Sequence, residues 1–172
     1  MILENWLIPD LVTPTYRDVT PELVKSMGRK ALLCDIDNTL ATYDDPTPPA
    51  ELVSWIENMR KSGVEVAFVS NNDWDRVKGF NKELGLVAYA KSGKPSYKNL
   101  LAAVNDLGIK KDDALLLGDQ LLTDCAAGKR SGIPCIIVPP IKDKTTPFFK
   151  FKRWLEKPYM KKYKRLNEEG KK

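Results

Sequence analysis

Five short, mostly apolar runs, at residues 31–35, 64–70, 87–90, 114–119 and 135–138, alternate with amphipathic stretches. This is the pattern of successive βα units wound around a parallel sheet. Near-continuous runs such as Ala114-Leu115-Leu116-Leu117 suit strands covered on both faces. The stretches between them carry helix signals. Leu52, Trp55, Ile56 and Met59 recur at helical spacing between Pro48-Pro49 and Gly63. Asp73 stands where it can cap a helix that carries Val77, Phe80 and Leu84 and is closed by Gly85. Pro95 opens a third, with Leu100, Leu101, Val104 and Leu107 inward before Gly108, and a fourth is expected from about residue 122 to 129. The first thirty residues, punctuated by Pro9, Pro14 and Pro21, read as an arm followed by one short helix from Pro21 to about Met27. The chain has no internal repeat and no low-complexity tract. With 172 residues, 42% of them hydrophobic, it fits one globular domain. The expected organisation is an arm over residues 1–30, a five-stranded α/β core over 31–147 and a tail over 148–172.

Histidine is absent, so no Ser-His-Asp or Cys-His relay and no His-ligated zinc site can operate. Acid–base chemistry near neutral pH falls to carboxylates, lysines or perturbed cysteines. Cys34, Cys125 and Cys135 are scattered, form no C-x-x-C pair, and read as buried small hydrophobes in a reducing cytosol. The longest uncharged stretch, residues 131–141, is 11 residues long with three prolines, far below the roughly 20 apolar residues of a bilayer span. Residues 1–10, interrupted by Glu4 and lacking a basic start, do not read as a signal peptide. The expectation is a cytoplasmic protein, soluble or peripheral to a membrane.

Four polar clusters fall where four of the runs end. Asp35-Ile36-Asp37-Asn38-Thr39 leaves the first, Ser70-Asn71-Asn72 the second, Lys94 follows the third, and Gly118-Asp119 with Asp124 leaves the fourth. Open α/β sheets bind their ligands at the carboxyl ends of the strands. Carboxylates converging there repel one another unless a hard cation neutralises them, and an all-oxygen ligand set favours Mg²⁺. A serine hydroxyl, backbone N–H groups and a lysine ammonium are what the oxygens of a phosphoryl group need. An aspartate in that setting can attack phosphorus in line, and a second, two residues on, can protonate the leaving oxygen and later deprotonate water.

With these motifs in this order the chain resembles the haloacid dehalogenase (HAD) superfamily of phosphatases. Asp35-Ile36-Asp37-Asn38-Thr39-Leu40 matches the D-x-D-x-T-L signature. The resemblance implies a Rossmann-like fold, Asp35 as nucleophile and Asp37 as general acid/base. It implies phosphate binding by Ser70, Asn71 and Lys94, and Mg²⁺ held by Asp35, Asp119 and Asp124 with the main-chain carbonyl of Asp37. The stretches Ser70-Asn71-Asn72 and Gly118-Asp119-Gln120-Leu121-Leu122-Thr123-Asp124, with the Leu7-Ile8-Pro9-Asp10 opening, are most similar to subclass IIIA proteins of the YqeG type. That group is related to mitochondrial phosphatidylglycerophosphatases, which implies a phospholipid precursor as substrate. Relatives in the same subclass act on nucleic-acid termini; these or other phosphometabolites are the alternative substrates, and an RNA- or ribosome-associated binding protein that uses the basic tail is the alternative function.

Only about a dozen residues separate Asp37 from the next helix, and the segment after Ser70 runs straight into one, so neither gap holds a cap domain. The site is expected to be open to bulky phosphorylated substrates. Other readings fail on particular positions. A P-loop needs glycine at 88 and a hydroxyl residue at 95, where the chain has Ala88 and Pro95. A receiver domain carries its phosphoacceptor after the third strand, whereas D-x-D here ends the first.

Net charge is +5, yet residues 148–172 hold ten Lys/Arg against three Glu, while the rest of the chain is mildly acidic. Phe148, Phe149, Phe151, Trp154, Tyr159 and Tyr163 interleave with the basic residues. Three readings are open: a solvated terminal helix partly packed on the domain, an interfacial segment on an anionic membrane surface, or an RNA-binding element using phosphate contacts and stacking. Pro158 is expected to break any single continuous helix there.

Overall fold

The computed structural model describes residues 6–142 and 145–170. The ends of the expected arm and tail, and the Glu4 argument, lie outside them. Strands β1 (Leu11–Val12), β2 (Ala31–Cys34), β3 (Glu65–Val69), β4 (Val87–Tyr89), β5 (Ala114–Gly118) and β6 (Cys135–Ile137) form one parallel sheet in the order β1-β6-β5-β2-β3-β4. The helices are α1 (Pro21–Ser26), α2 (Ala50–Lys61), α3 (Trp74–Asn81), α4 (Lys98–Asp106), α5 (Ala126–Ser131) and α6 (Pro147–Glu169). This is the expected Rossmann-like α/β fold, and among the described residues no cap domain is inserted after β2 or β3.

The sheet has six strands, not five. The sixth is β1, from the arm, which pairs with β6 as Leu11↔Ile136 and Val12↔Ile137. Two residues between Pro9 and Pro14 carry no periodicity of their own. The strand exists because the edge of β6 offers a ladder and because Asp10 is anchored there, its carboxylate accepting from Cys135 N at 2.9 Å and from Lys129 Nζ.

Alternation along the strands splits the core into two layers. Leu32, Cys34, Val66, Phe68, Leu115 and Leu117 face Val24 of α1, the Leu52, Trp55, Ile56 and Met59 stripe of α2, and Val77 and Phe80 of α3. Leu33, Ala67, Val69 and Leu116 face Leu100, Ala103 and Val104 of α4 and Ala126 and Ala127 of α5, with Tyr159 and Met160 of α6 at the margin. Burial of each large side chain contributes roughly 1.5–3 kcal/mol, so a sheet sandwiched this way tolerates polar strand ends. The three cysteines are buried and form no disulfide.

Three helices depart from expectation. The third starts at Lys98, because residues 94–97 are held in a turn by Ser96 N to Gly93 O and by Asn71, which brackets the Lys94 backbone. The fourth begins as a π-helical turn, Leu121–Cys125, before α5. Here Asp124 N and Cys125 N both reach Gln120 O, at 2.9 and 3.2 Å, and the wide turn aims Asp124 inward. Finally, α6 runs unbroken through Pro158. Pro158 is exposed, while the opposite side of the helix is pinned by buried Phe149 and Glu156 and by Tyr163 Oη, which accepts from Val12 N at 3.0 Å. Among the described residues no helix is long and apolar enough to cross a membrane.

Candidate active site

From β2 the chain order proceeds outward to β3 and β4 on one side, while β5, β6 and β1 lie on the other. The crevice therefore opens at the carboxyl ends of β2 and β5, the switch point of the sheet. Asp35 follows β2 and Asp119 follows β5, which places them at adjacent strand ends, with Asp35 N bonded to Leu117 O at 2.9 Å. A cavity of about 250 Å³ there is lined by Asp35, Asp37, Ser70, Asn71, Lys94 and Gln120, with Tyr43, Asn72 and Thr123 completing the wall. The first three clusters line this cavity, and Asp119 and Asp124 of the fourth, not among its lining residues, meet Asp35 and Lys94 beside it.

Lys94 is the hub. Its Nζ lies 3.0 Å from Asp35 Oδ1 and 2.7 Å from Asp124 Oδ1, with the side chain almost wholly enclosed. Burial works against its charge, but Asp124 and Asp35 outweigh it and hold the ammonium well above the ordinary lysine range. Asp124 is fixed further by Gln120 N, which donates to its Oδ2 at 3.1 Å. Gly118 is what lets it approach, since a Cβ there would stand 2.2 Å from Asp124 Cγ.

Carboxylate oxygens of Asp35, Asp119 and Asp124 lie within 4.8 Å of one another, all buried. Burial pushes Asp35 up to about 7, with Lys94 pulling it down and Asp124 adding to the rise. Burial likewise raises Asp119 to about 8, reinforced by Asp124 and Asp35 and opposed by Arg153. A divalent oxygen-loving cation fits this set. With every carboxylate ionised, Asp35, Asp37, Asp119, Asp124 and Glu156 face only Lys94, Arg76 and Arg153, an excess of two negative charges that a divalent cation would offset and that protons reduce in its absence.

The Asp37 carboxylate turns away from that triad. Its Oδ1 accepts from Arg76 Nη2 at 2.9 Å and Nε at 3.1 Å, and its Oδ2 from Asn72 Nδ2 at 2.9 Å. Arg76 also grips the loop after the D-x-D segment, donating to Thr42 O at 3.0 Å and to Asp45 O. Ser70 Oγ accepts from Asn72 N at 3.1 Å and faces the cavity. The Asn71 side chain is occupied otherwise: its Oδ1 accepts from Lys94 N at 2.8 Å and Ser92 Oγ at 2.9 Å, and its Nδ2 donates to Lys94 O. It ties the Lys94 loop to the β3 end, and any phosphate contact from it falls to its backbone N–H.

Sequence reasoning missed two arginines. Arg76 lies within α3, where nothing local distinguishes it from Lys78. Arg153 comes from the tail: its Nη2 donates to Asp119 Oδ2 at 2.7 Å and its Nη1 to Asp119 O at 2.8 Å and Glu156 Oε2 at 2.9 Å. Next to it, Lys152 Nζ reaches Gln120 Oε1 at 2.8 Å.

Comparison with known proteins gives the same direction. A family described as HAD-hydrolase-like matches residues 91–145. The chain is 35% identical over 164 residues, covering 95% of both chains, to a Bacillus subtilis (strain 168) protein described as probable phosphatase YqeG. It is 24% identical over 178 residues, 89% of this chain, to the chloroplastic/mitochondrial phosphatidylglycerophosphate phosphatase 1 of Arabidopsis thaliana, of which it spans only 49%. Among solved structures, an uncharacterized protein from Listeria monocytogenes serotype 4b shares the fold at a TM-score of 0.54 and 19% identity, over 69% of this chain and 85% of that one.

Proposed function

The chain belongs to the HAD-superfamily phosphatases of the YqeG type, and on that premise we propose that it is an Mg²⁺-dependent phosphomonoesterase with Asp35 as nucleophile and a phospholipid, phosphatidylglycerophosphate, as substrate. The observation that carries the mechanism is the placement of Asp35 at the cavity floor, 3.0 Å from Lys94, with Asp37 held apart on Arg76 and Asn72.

Ser70 Oγ, nearby backbone N–H groups and Lys94 Nζ bind the phosphoryl oxygens, and Asn71 fixes the Lys94 loop. An Asp35 carboxylate oxygen attacks phosphorus; the new P–O bond forms as the bond to the leaving oxygen breaks. Asp37 delivers its proton to that oxygen, then takes a proton from the water that attacks the aspartyl-phosphate. The Asp35–phosphorus linkage breaks, inorganic phosphate leaves, and both carboxyl groups return to their starting states. Asp35, Asp119 and Asp124, with the Asp37 main-chain carbonyl, would hold the cation. Bound there, Mg²⁺ supplies positive charge to offset the carboxylates and the phosphoryl oxygens.

The substrate reading is supported by the Arabidopsis relative's activity and by the open cavity. About 250 Å³ admits a phosphoryl group with part of a head group and leaves the remainder of the molecule outside. The enzyme then works in the cytosol at a membrane face. Phosphate release is measured from phosphatidylglycerophosphate, soluble sugar phosphates, nucleotides and 5′- or 3′-phosphorylated oligonucleotides. A preference for the lipid, abolished by EDTA and by Asp35→Asn, is expected. Full activity in EDTA or in Asp35→Asn overturns the mechanism, and equal or faster turnover of the oligonucleotides overturns the substrate.

A further inference from the structure

Six of the nine large apolar side chains left exposed among the described residues stand near one rim. Tyr43, Trp74, Ile141, Phe148, Phe151 and Trp154 all belong to segments that follow the carboxyl ends of β2, β3 and β6, where the catalytic cavity opens. Three of them are on α6, and that helix is oriented against ordinary expectation. A helix packed on a domain turns its aromatics inward. Here the inward face of the first turns carries Phe149, Arg153 and Glu156, fixed to Asp119 and to Leu122 N. The outward face carries Phe151 and Trp154, 54% and 61% exposed, stacked with ring centroids 5.9 Å apart. Phe148, 70% exposed, lies one turn earlier beneath Lys152 Nζ, the same ammonium that contacts Gln120 at the cavity wall.

Lys150, Lys157 and Lys161 are exposed at helical spacing around this aromatic face, while Glu156 points inward and Glu168 and Glu169 lie at the far end of the helix. The patch is therefore apolar at its centre and cationic at its margin. A helix face that exposes stacked aromatic rings within a rim of lysines suits a deformable anionic head-group layer, where the rings sit at the interface and the lysines meet anionic lipid.

We propose that the outward face of α6 is an interfacial anchor that docks the enzyme on an anionic lipid bilayer with its catalytic cavity turned toward the head groups. This deepens the phospholipid reading, on which its purpose rests. Because Arg153 on the opposite face of the same helix holds Asp119, the anchor is tied directly to the carboxylate cluster.

The test uses the full chain and vesicles without substrate. Wild type is expected to co-sediment with vesicles of phosphatidylcholine containing phosphatidylglycerol, to bind weakly to phosphatidylcholine alone, and to be released in part by high salt. The triple variant Phe148→Ser, Phe151→Ser, Trp154→Ser is expected to bind at least about tenfold more weakly while hydrolysing a soluble aryl phosphate like wild type. Binding that ignores phosphatidylglycerol, a triple variant that binds undiminished, or single-stranded RNA held more tightly than vesicles overturns the anchor. The two readings fail separately. Docking without hydrolysis of phosphatidylglycerophosphate removes the substrate, whereas hydrolysis of that lipid in detergent without vesicle binding removes the anchor.

Discussion

Arg153 donates to the Asp119 carboxylate at 2.7 Å and to the main-chain carbonyl of the same residue at 2.8 Å, so one guanidinium fixes both ends of that aspartate. The contact spans 34 residues of sequence and brings α6 to the buried cluster of Asp35, Asp119 and Asp124. Partners that orient a metal-ligating carboxylate typically contribute about 10–100-fold to metal affinity or activity. Arg153→Ala is expected to raise the Mg²⁺ concentration for half-maximal phosphatase activity by at least about tenfold. It also leaves buried Glu156 without its 2.9 Å partner, a loss on the order of 3 kcal/mol in unfolding free energy. Metal titration of turnover and denaturant unfolding read the two effects. A variant with wild-type metal dependence shows that Arg153 is structural only.

Arg76 positions Asp37 in a way that lysine cannot reproduce. Its guanidinium bonds Asp37 Oδ1 twice while also holding Thr42 O and Asp45 O, four contacts that a single ammonium cannot span. Arg76→Ala and Arg76→Lys are both expected to lower kcat by about 10–100-fold with KM little changed, because the role proposed for Asp37 is in the proton transfers and not in phosphate binding. Steady-state kinetics with an aryl phosphate checks this. A rise in KM at constant kcat assigns Arg76 to substrate binding instead.

Gly118 is demanded by contact. Its Cβ position lies 2.2 Å from Asp124 Cγ and 2.5 Å from Asp124 Oδ2, and Asp124 is fully buried with Lys94 bonded to it. Asp124 cannot yield without breaking that 2.7 Å bond. Gly118→Ala is expected to cost about 1–3 kcal/mol of stability and at least about a hundredfold in turnover. Thermal unfolding and phosphate release measure both. An active, stable alanine variant shows that the β5 end relaxes freely.

The four polar clusters were readable because each follows its own strand within a few residues, so local spacing carried the three-dimensional meeting of Asp35, Ser70, Lys94 and Asp119. The partners that tune them were not readable for the complementary reason. Arg76 and Arg153 sit in helices whose local pattern asks only for a polar surface, and their role exists only once α3 and α6 are packed at the sheet ends. Strand β1 and the continuity of α6 through Pro158 were hidden in the same way. Leu11 and Val12 become a strand because β6 has an open edge, and Pro158 is tolerated because residues on both sides of it are tied to the core.

The raised carboxyl groups fix the sign of a pH dependence. Asp35, at about 7, and Asp119, at about 8, bind protons in the folded chain that they release near pH 4 when unfolded. Between those limits the folded state holds more protons than the unfolded one, so without metal the stability falls as pH rises through the interval. A divalent cation held by the same carboxylates must displace those protons, and its stabilisation therefore grows over the same interval. In EDTA the melting temperature is expected to fall from pH 5 toward pH 8, and saturating Mg²⁺ should raise it more at pH 8 than at pH 5. Calorimetry or circular dichroism melts at the two pH values decide the matter. A Mg²⁺ shift that is equal at both, or larger at pH 5, means that Asp35 and Asp119 are not where the cation binds.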